Sequence, residues 1–314
     1  MKHGGLIVLC LALLVGCSTQ SVTSMKPVPP PTGGAAALFP QPTEAQSQQL
    51  GRLHALLLRP ITRLDLSWVA NMGAAAIPTC VREAGDETLS ADARNFILLV
   101  LGSTLSKAHF EDHPDAKNDF VLPVIVKSLG DPDPYVRRSA AFAARFIDDP
   151  RLVPVLRPLL NDTPAVQEQA MIALGTSGHE SEVMPIARLF FESDDSIFRY
   201  SCLYTLATLC LRRGIDVAAV LDQNMGSFGA KNLANVDSVR ERFVDFQMMA
   251  ALLKKLSSAD VSERREANEK LRALTGKEVE FDPEGDDAER QCGIEEWRAY
   301  FLKDYWLVPP PPKP

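Results

Sequence analysis

The chain has 314 residues, with 33 Lys and Arg against 40 Asp and Glu, a formal charge of −7. An acidic balance without a basic stripe argues against nucleic acid as a partner and against broad adhesion to anionic lipid. Six cysteines are present, but no Cys-x-x-Cys or Cys/His spacing points to zinc.

The first residues do not read as fold. Met1-Lys2-His3 is a short basic start, and Leu6 to Val15 is an apolar run of ten. A bilayer span takes about 20 residues, so this run suits the core of a signal peptide instead. It ends in Leu14-Val15-Gly16-Cys17, which resembles the lipobox of bacterial lipoproteins. The resemblance covers the first 17 residues. It implies a signal peptide at 1–16, cleavage before Cys17, a diacylglycerol thioether on its sulfur and acylation of its new amine. Stable anchoring takes two or more acyl signals, at about 0.8 kcal/mol per buried methylene. Ser18 in place of Asp resembles the outer-membrane sorting signal of diderm bacteria. Cleavage removes one Lys and no acid, leaving 32 basic and 40 acidic residues and a charge of −8.

Residues 17–42 read as the lipidated Cys and a Pro-rich tether. Such a segment buries too little apolar surface to offset the entropy of ordering. Fully stretched, it reaches about 80 Å. The tail at 305–314 ends in Pro309-Pro-Pro-Pro-Lys-Pro314, which cannot continue a helix.

The body, 43–304, reads as helices throughout. Thr43-Glu-Ala-Gln46 has the form of a capping box, and Leu50, Leu53, Leu56 and Leu57 follow at helical spacing. A second pair covers about 61–108, with Ala93, Ile97, Val100, Leu101 and Thr104 on one face. His109 and His113 stand four apart with carboxylates between them, but Pro114 follows, and we read a solvated turn rather than a metal site.

From 120 to 213 one line is written three times. Asp131-Pro-Asp-Pro-Tyr-Val136-Arg137, Asp162-Thr-Pro-Ala-Val166-Gln167 and Asp194-Asp-Ser-Ile-Phe198-Arg199 each open a helix, about 31 residues apart. A period of this size marks a solenoid of helix pairs, none of which buries its apolar face alone. The second helices are expected to bury Val136, Ala140, Ala143, Ala144 and Ile147; then Val166, Ala170, Ala173 and Leu174; then Phe198, Cys202, Leu206 and Leu209. Pro158 sits inside a first helix and predicts a kink.

Asp-x-x-x-x-Val-Arg-x-x-Ala, with Asp149-Pro-x-Leu-Val-Pro-x-Leu156 after it, resembles the short bacterial HEAT-like repeat, of armadillo type. The resemblance is close over 120–213 and loose over 61–110. It implies an all-α fold, an α–α superhelix whose second helices line the concave side, and an Asp–Arg ladder between units. Asp131, Arg137 and Arg199 match that ladder, and Gln167 departs from it, so one rung is expected to be uncharged.

From 214 to 238 the pattern breaks into a Gly- and Asn-rich stretch, read as an irregular insertion. A helix resumes near Ser238 with Phe243, Phe246, Met249, Leu252, Leu253 and Leu256. Residues 260–304 read as a terminal capping unit: a helix stopped by Gly276, then Phe281-Asp-Pro283, then Trp297, Tyr300 and Phe301. This arrangement is similar to the end of many bacterial HEAT-repeat proteins. The aromatics read as a cap first and a partner site second.

No Gly-x-Ser-x-Gly, phosphate loop or dinucleotide fingerprint occurs. Cys202 and Cys210 share a helix, about 12 Å apart along its axis, too far to pair with each other. Arg138, Arg145 and Arg199 are the candidates for a concave face that meets an acidic partner. These readings converge on a non-enzymatic, lipid-anchored scaffold of the bacterial cell envelope that binds an envelope protein or peptide, without cofactor. It would face the periplasm from the outer membrane in a diderm host. The alternative is an accessory or lyase-like factor holding a small ligand or cofactor in the concave groove.

Overall fold

The computed structural model describes residues 38–59, 67–106, 114–228 and 233–303. Every regular element among them is a helix, and the fold is the expected all-α superhelix of stacked helix pairs. None of these helices is long and apolar enough to cross a membrane. The stretch read as a signal peptide, Cys17, His109, His113, the Pro-rich tail and most of the stretch read as a tether lie outside the described residues; the last residues of that stretch, 38–42, are described, and there Phe39 is buried with its ring 5.3 Å from that of Phe120. Two compact units are present, Met1–Val124 and Ile125–Pro314.

The first unit holds α1 (Glu44–Leu50), α2 (Leu53–Leu57), α3 (Ser67–Asn71), α4 (Ile77–Ala84) and α5 (Ala91–Leu105). The capping box is formed: the Thr43 hydroxyl accepts from the Gln46 amide, and the Thr43 amide donates to Gln46 Oε1 at 2.8 Å. On α5 the expected face is buried, from Ala93 and Ile97 through Val100 and Leu101 to Thr104. The α6 helix (Pro114–Leu129) runs across the boundary between the units.

The second unit carries the regular repeats. Its elements are α7 (Pro134–Ala144), α8 (Val153–Leu156), α9 (Pro164–Ser177), α10 (Val183–Glu192), α11 (Ser196–Arg213), α12 (Val217–Gln223), α13 (Leu233–Leu256), α14 (Val261–Thr275) and α15 (Asp287–Lys303). Pro158 acts as expected: α8 stops at Leu156 and the chain continues as a 3-10 turn over Arg157–Asn161. The second helices α7, α9 and α11 pack side by side. Val136, Ala140, Ala143, Ala144, Ile147, Val166, Ala170, Ala173, Leu174, Cys202, Leu206 and Leu209 are buried as expected. Phe198 is not. It lies in the first turn of α11 and remains half-buried, because the Asp195 carboxylate caps the Ile197 and Phe198 amides at the outer end of the helix.

Small side chains set the spacing of the stack. A Cβ on Gly175 would lie 3.1 Å from Thr205 Cγ2, so α9 and α11 meet at near backbone contact. Ala170 is fully buried on the same helix. Ala170→Leu is expected to overpack this seam and lower stability by about 1–3 kcal/mol. Urea unfolding followed by circular dichroism checks this; an unchanged midpoint would show that the seam has room.

One arginine position recurs. The fourth residue after the cap of several helices is an arginine that reaches back to carbonyls five or six residues earlier. Arg137 Nη1 donates to Asp131 O and Pro132 O, and Arg264 Nη1 to Ser258 O and Ala259 O. Arg94 and Arg290 each make the five-residue bond, to Leu89 O and Gly285 O. The side chain thereby ties the inter-helix turn to the helix it precedes. Gln167 stands at this position in α9 and donates to Leu160 O at 2.6 Å, an uncharged tie within its own unit. Arg137 also forms the charged rung, with Nε and Nη2 on Asp162 at 2.7 and 2.8 Å. The guanidinium beside it holds the Asp162 carboxyl below the usual carboxylate range. Arg199 does not continue the ladder. Its guanidinium lies over the Phe190 ring, 4.4 Å from the centroid.

Within the stretch read as an irregular insertion, 217–223 is helical. Asp216 caps it by accepting from the Ala219 amide, and Val217, Ala218, Val220 and Leu221 are buried. Apart from Gly214, which ends α11, its Gly and Asn residues come after this apolar face, and the short helix α12 packs against α13. The terminal unit closes the stack. Gly276, at φ 66°, ends α14 in the left-handed region that favours glycine. Trp297 and Phe301 of α15 are fully buried and stack on each other, with centroids 5.8 Å apart. Trp297 Nε1 donates to Asn268 Oδ1 of α14 at 3.2 Å.

Candidate ligand groove

The terminal helix does more than cap. It packs on α13 and also on α11, a second helix of the repeats. Between α15 and the second helices lies an open cavity of about 530 Å³. Its walls are Arg145 at the end of α7, Ile172 of α9, Tyr200, Ser201, Tyr204 and Arg212 of α11, and Glu295, Arg298, Ala299 and Leu302 of α15. The volume is in the range of small-molecule sites, about 300–1,000 Å³.

Three of the polar groups in the wall are guanidinium cations, and only Glu295 opposes them. The Arg145 guanidinium sits 5.6 Å from the Phe142 centroid and 5.9 Å from that of Phe146. Among the described residues its side chain has one hydrogen-bond acceptor, the neutral amide oxygen of Gln169 at 3.2 Å. Burial pulls its pKa down, with the Glu168 carboxylate acting in the opposite direction. Glu168 itself accepts a hydrogen bond from Ser201 Oγ at 2.8 Å. Arg212 is exposed. Arg298 Nη1 donates to Glu295 Oε1, while its Nε is buried without a hydrogen-bond partner.

Of the three arginines expected on a concave face, only Arg145 enters this cavity. Arg138 is exposed on α7 away from it, and Arg199 is held by Phe190. Tyr200, Tyr204, Arg212 and Arg298 were not anticipated. The signal was present on α11: Tyr200, Tyr204 and Arg212 fall at multiples of four, on the face opposite Cys202, Leu206 and Leu209.

Other chemistry-bearing groups are explained locally. Cys80, Cys202 and Cys210 are buried, and burial pushes each thiol up to about 12, which leaves them inert as nucleophiles. His54, Glu83 and Asp86 bring three donor atoms within 4.8 Å of one another. Arg82 binds the far oxygen of Glu83 through Nε and Nη2, and His54 Nδ1 meets its near oxygen at 2.8 Å. The trio is thus a hydrogen-bonded knot between α2 and the end of α4.

Residues 122–207 match the family model for HEAT repeats, so the repeats of the second unit are HEAT-like. The match runs from the middle of α6 to the middle of α11 and takes in half of the residues that line the groove. No curated protein matches the chain. A solved structure to which it is similar is the complex of CpcE and CpcF of phycocyanin lyase from Nostoc sp. PCC7120. Identity is 17% over 87% of this chain and 99% of that one, with a TM-score of 0.39. The expectation of a non-enzymatic chain is corrected by this finding. The protein in that structure is named as a phycocyanin lyase.

Proposed function

We propose that the chain is a lipid-anchored HEAT-repeat factor of the bacterial cell envelope, holding a small ligand in the groove between its second helices and α15. The observation that carries this reading is the cavity itself. It is roomy enough for a small molecule, its aromatic and aliphatic walls come from Tyr200, Tyr204, Ile172 and Leu302, and its cations converge from three helices. Concave sites with apolar walls and a few convergent polar groups are the usual form of small-ligand pockets. A lipid on Cys17 would hold the chain at the membrane, and the tether would let the folded body stand clear of it.

A saturable neutral dye tests the groove. Nile red is expected to bind the purified mature chain, and Ile172→Trp, which narrows the cavity, is expected to weaken binding without lowering the melting temperature. Equal binding by the variant would place the dye elsewhere. The anchor is tested separately. Cys17→Ser is expected to move the chain wholly from the membrane fraction to the soluble fraction; retention in the membrane would refute lipidation at Cys17.

A second reading rests on two exposed apolar side chains. Tyr135 and Ile197 stand at the second residue of α7 and α11, 63% and 73% exposed. Repeats that present apolar side chains at matched positions offer a rim for an envelope protein or peptide.

A further inference from the structure

We infer that the groove selects a small anion with a flat aromatic or conjugated body, and that Arg145 is its anchor. This rests on the reading of the groove as a ligand site and names the chemical class.

The argument starts from what Arg145 lacks. A guanidinium carries five N–H donors in a planar fork, and it stays charged at any physiological pH. Here one donor is used on Gln169, a neutral acceptor. The others are not sealed inside the protein: no nitrogen of Arg145 is among the buried atoms without a partner, and the residue lines the cavity. A half-buried cation costs free energy unless a counter-charge accompanies it. In this unit Arg137, Arg157 and Arg213 find theirs, on Asp162, Glu182 and Asp148. Arg145, like Arg199, has aromatic rings beside its guanidinium instead, those of Phe142 and Phe146, and Glu168 acts on it through space. Aromatic rings fix the fork in place without neutralising it.

Two further cations share the cavity. Arg298 is half-satisfied, with Nη1 on Glu295 and Nε unbonded. Arg212 enters from the far end of α11. Three arginines against one Glu make a positive pocket in a chain whose net charge is −7. The remaining wall is apolar and flat-sided: Tyr200 and Tyr204 one turn apart on α11, Ile172 opposite on α9, Leu302 on α15. A planar fork beside aromatic side chains recognises an anionic head with two oxygens to accept from it, carried on a flat apolar body. Carboxylate and phosphate both satisfy the fork, and the distinction between them is left to the experiment.

The probe is 1-anilinonaphthalene-8-sulfonate, whose fluorescence rises on entering an apolar site. It is expected to bind the Cys17→Ser chain at one saturable site. Arg145→Gln keeps a polar, uncharged but shorter side chain and removes the charge, and it is expected to weaken binding about tenfold. Arg212→Gln, on an exposed side chain, tests the cation field if Arg145→Gln does not fold; it is expected to weaken binding by about threefold. 1-Naphthoate and 1-naphthyl phosphate then compete for the site, and the tighter competitor identifies the head group as carboxylate or phosphate. Unchanged affinity in both variants, or no competition by either compound, overturns the inference. Binding of Nile red without binding of the sulfonate overturns the anionic class alone and leaves the groove as a ligand site. Failure of both dyes removes the groove reading as well.

Discussion

Trp297→Ala is expected to destabilise the second unit by about 3–5 kcal/mol, enough to consume much of a typical domain's stability. The indole is fully buried. It stacks on Phe301 and meets Tyr300 edge-on, with centroids 6.1 Å apart. Its Nε1 hydrogen holds Asn268, which is itself buried at 6% exposure. Truncation therefore opens a cavity at the end of an otherwise open stack and strands a buried amide oxygen. Trp297→Phe separates the two terms: it keeps most of the packing and loses the hydrogen bond, with an expected cost of about 1–3 kcal/mol. Tyr300→Ala, on a half-buried neighbour, is the control and should cost less than Trp297→Ala. Urea denaturation with fixed m-value checks all three; equal midpoints for Trp297→Ala and wild type would mean that α15 does not close the core.

Arg137→Met is expected to cost about 2–3 kcal/mol at neutral pH, between the worth of an exposed ion pair and that of a buried pair broken on one side. Arg137 and Asp162 are 18% and 12% exposed, so solvent screens them little. The fork is bidentate on the carboxylate and also ties the Asp131 and Pro132 carbonyls. The pH dependence has a definite sign. The Asp162 carboxyl is held below its ordinary value in the folded chain. Its contribution is thus present above the unfolded pKa of about 3.9 and is lost as pH falls through the lowered folded value. Wild type and Arg137→Met should accordingly differ most above about pH 5 and converge on acidification. Melting temperatures from pH 7 down to 2 check this; a constant gap across that range would show that the carboxylate takes no part in the rung.

How far the fold could be read depended on period. Where three copies of one line stood about 31 residues apart, from Asp131 to Arg199, the helices and all but one of the buried residues followed from the pattern. Phe198 misled because apolar character was taken for depth, while the capped first turn of α11 holds the ring at the edge. The helix at 217–223 was hidden because a single apolar turn, Val217 to Leu221, adjoins residues rich in Gly and Asn and repeats nothing before it. The charged rung was legible only in part. Its acid, Asp162, belongs to the next unit and sits one residue outside the cap, where sequence order alone reads it as a capping group.

The groove was harder to foresee, because it is made by a long-range contact. Arg145, Tyr204 and Arg298 are far apart in sequence, and only the packing of α15 on α11 brings them together. Arg145 could be picked out as a cation on a second helix, but so could Arg138 and Arg199. What separates them is the third dimension: Phe190 covers Arg199, Arg138 points to solvent, and Arg145 alone opens into a cavity.

The most direct test of the groove as the working site is amide chemical-shift mapping of the Cys17→Ser chain titrated with 1-anilinonaphthalene-8-sulfonate. Shifts confined to the end of α7, the middle of α9, one face of α11 and the second half of α15 are predicted. Shifts elsewhere, or none at saturating dye, would contradict it.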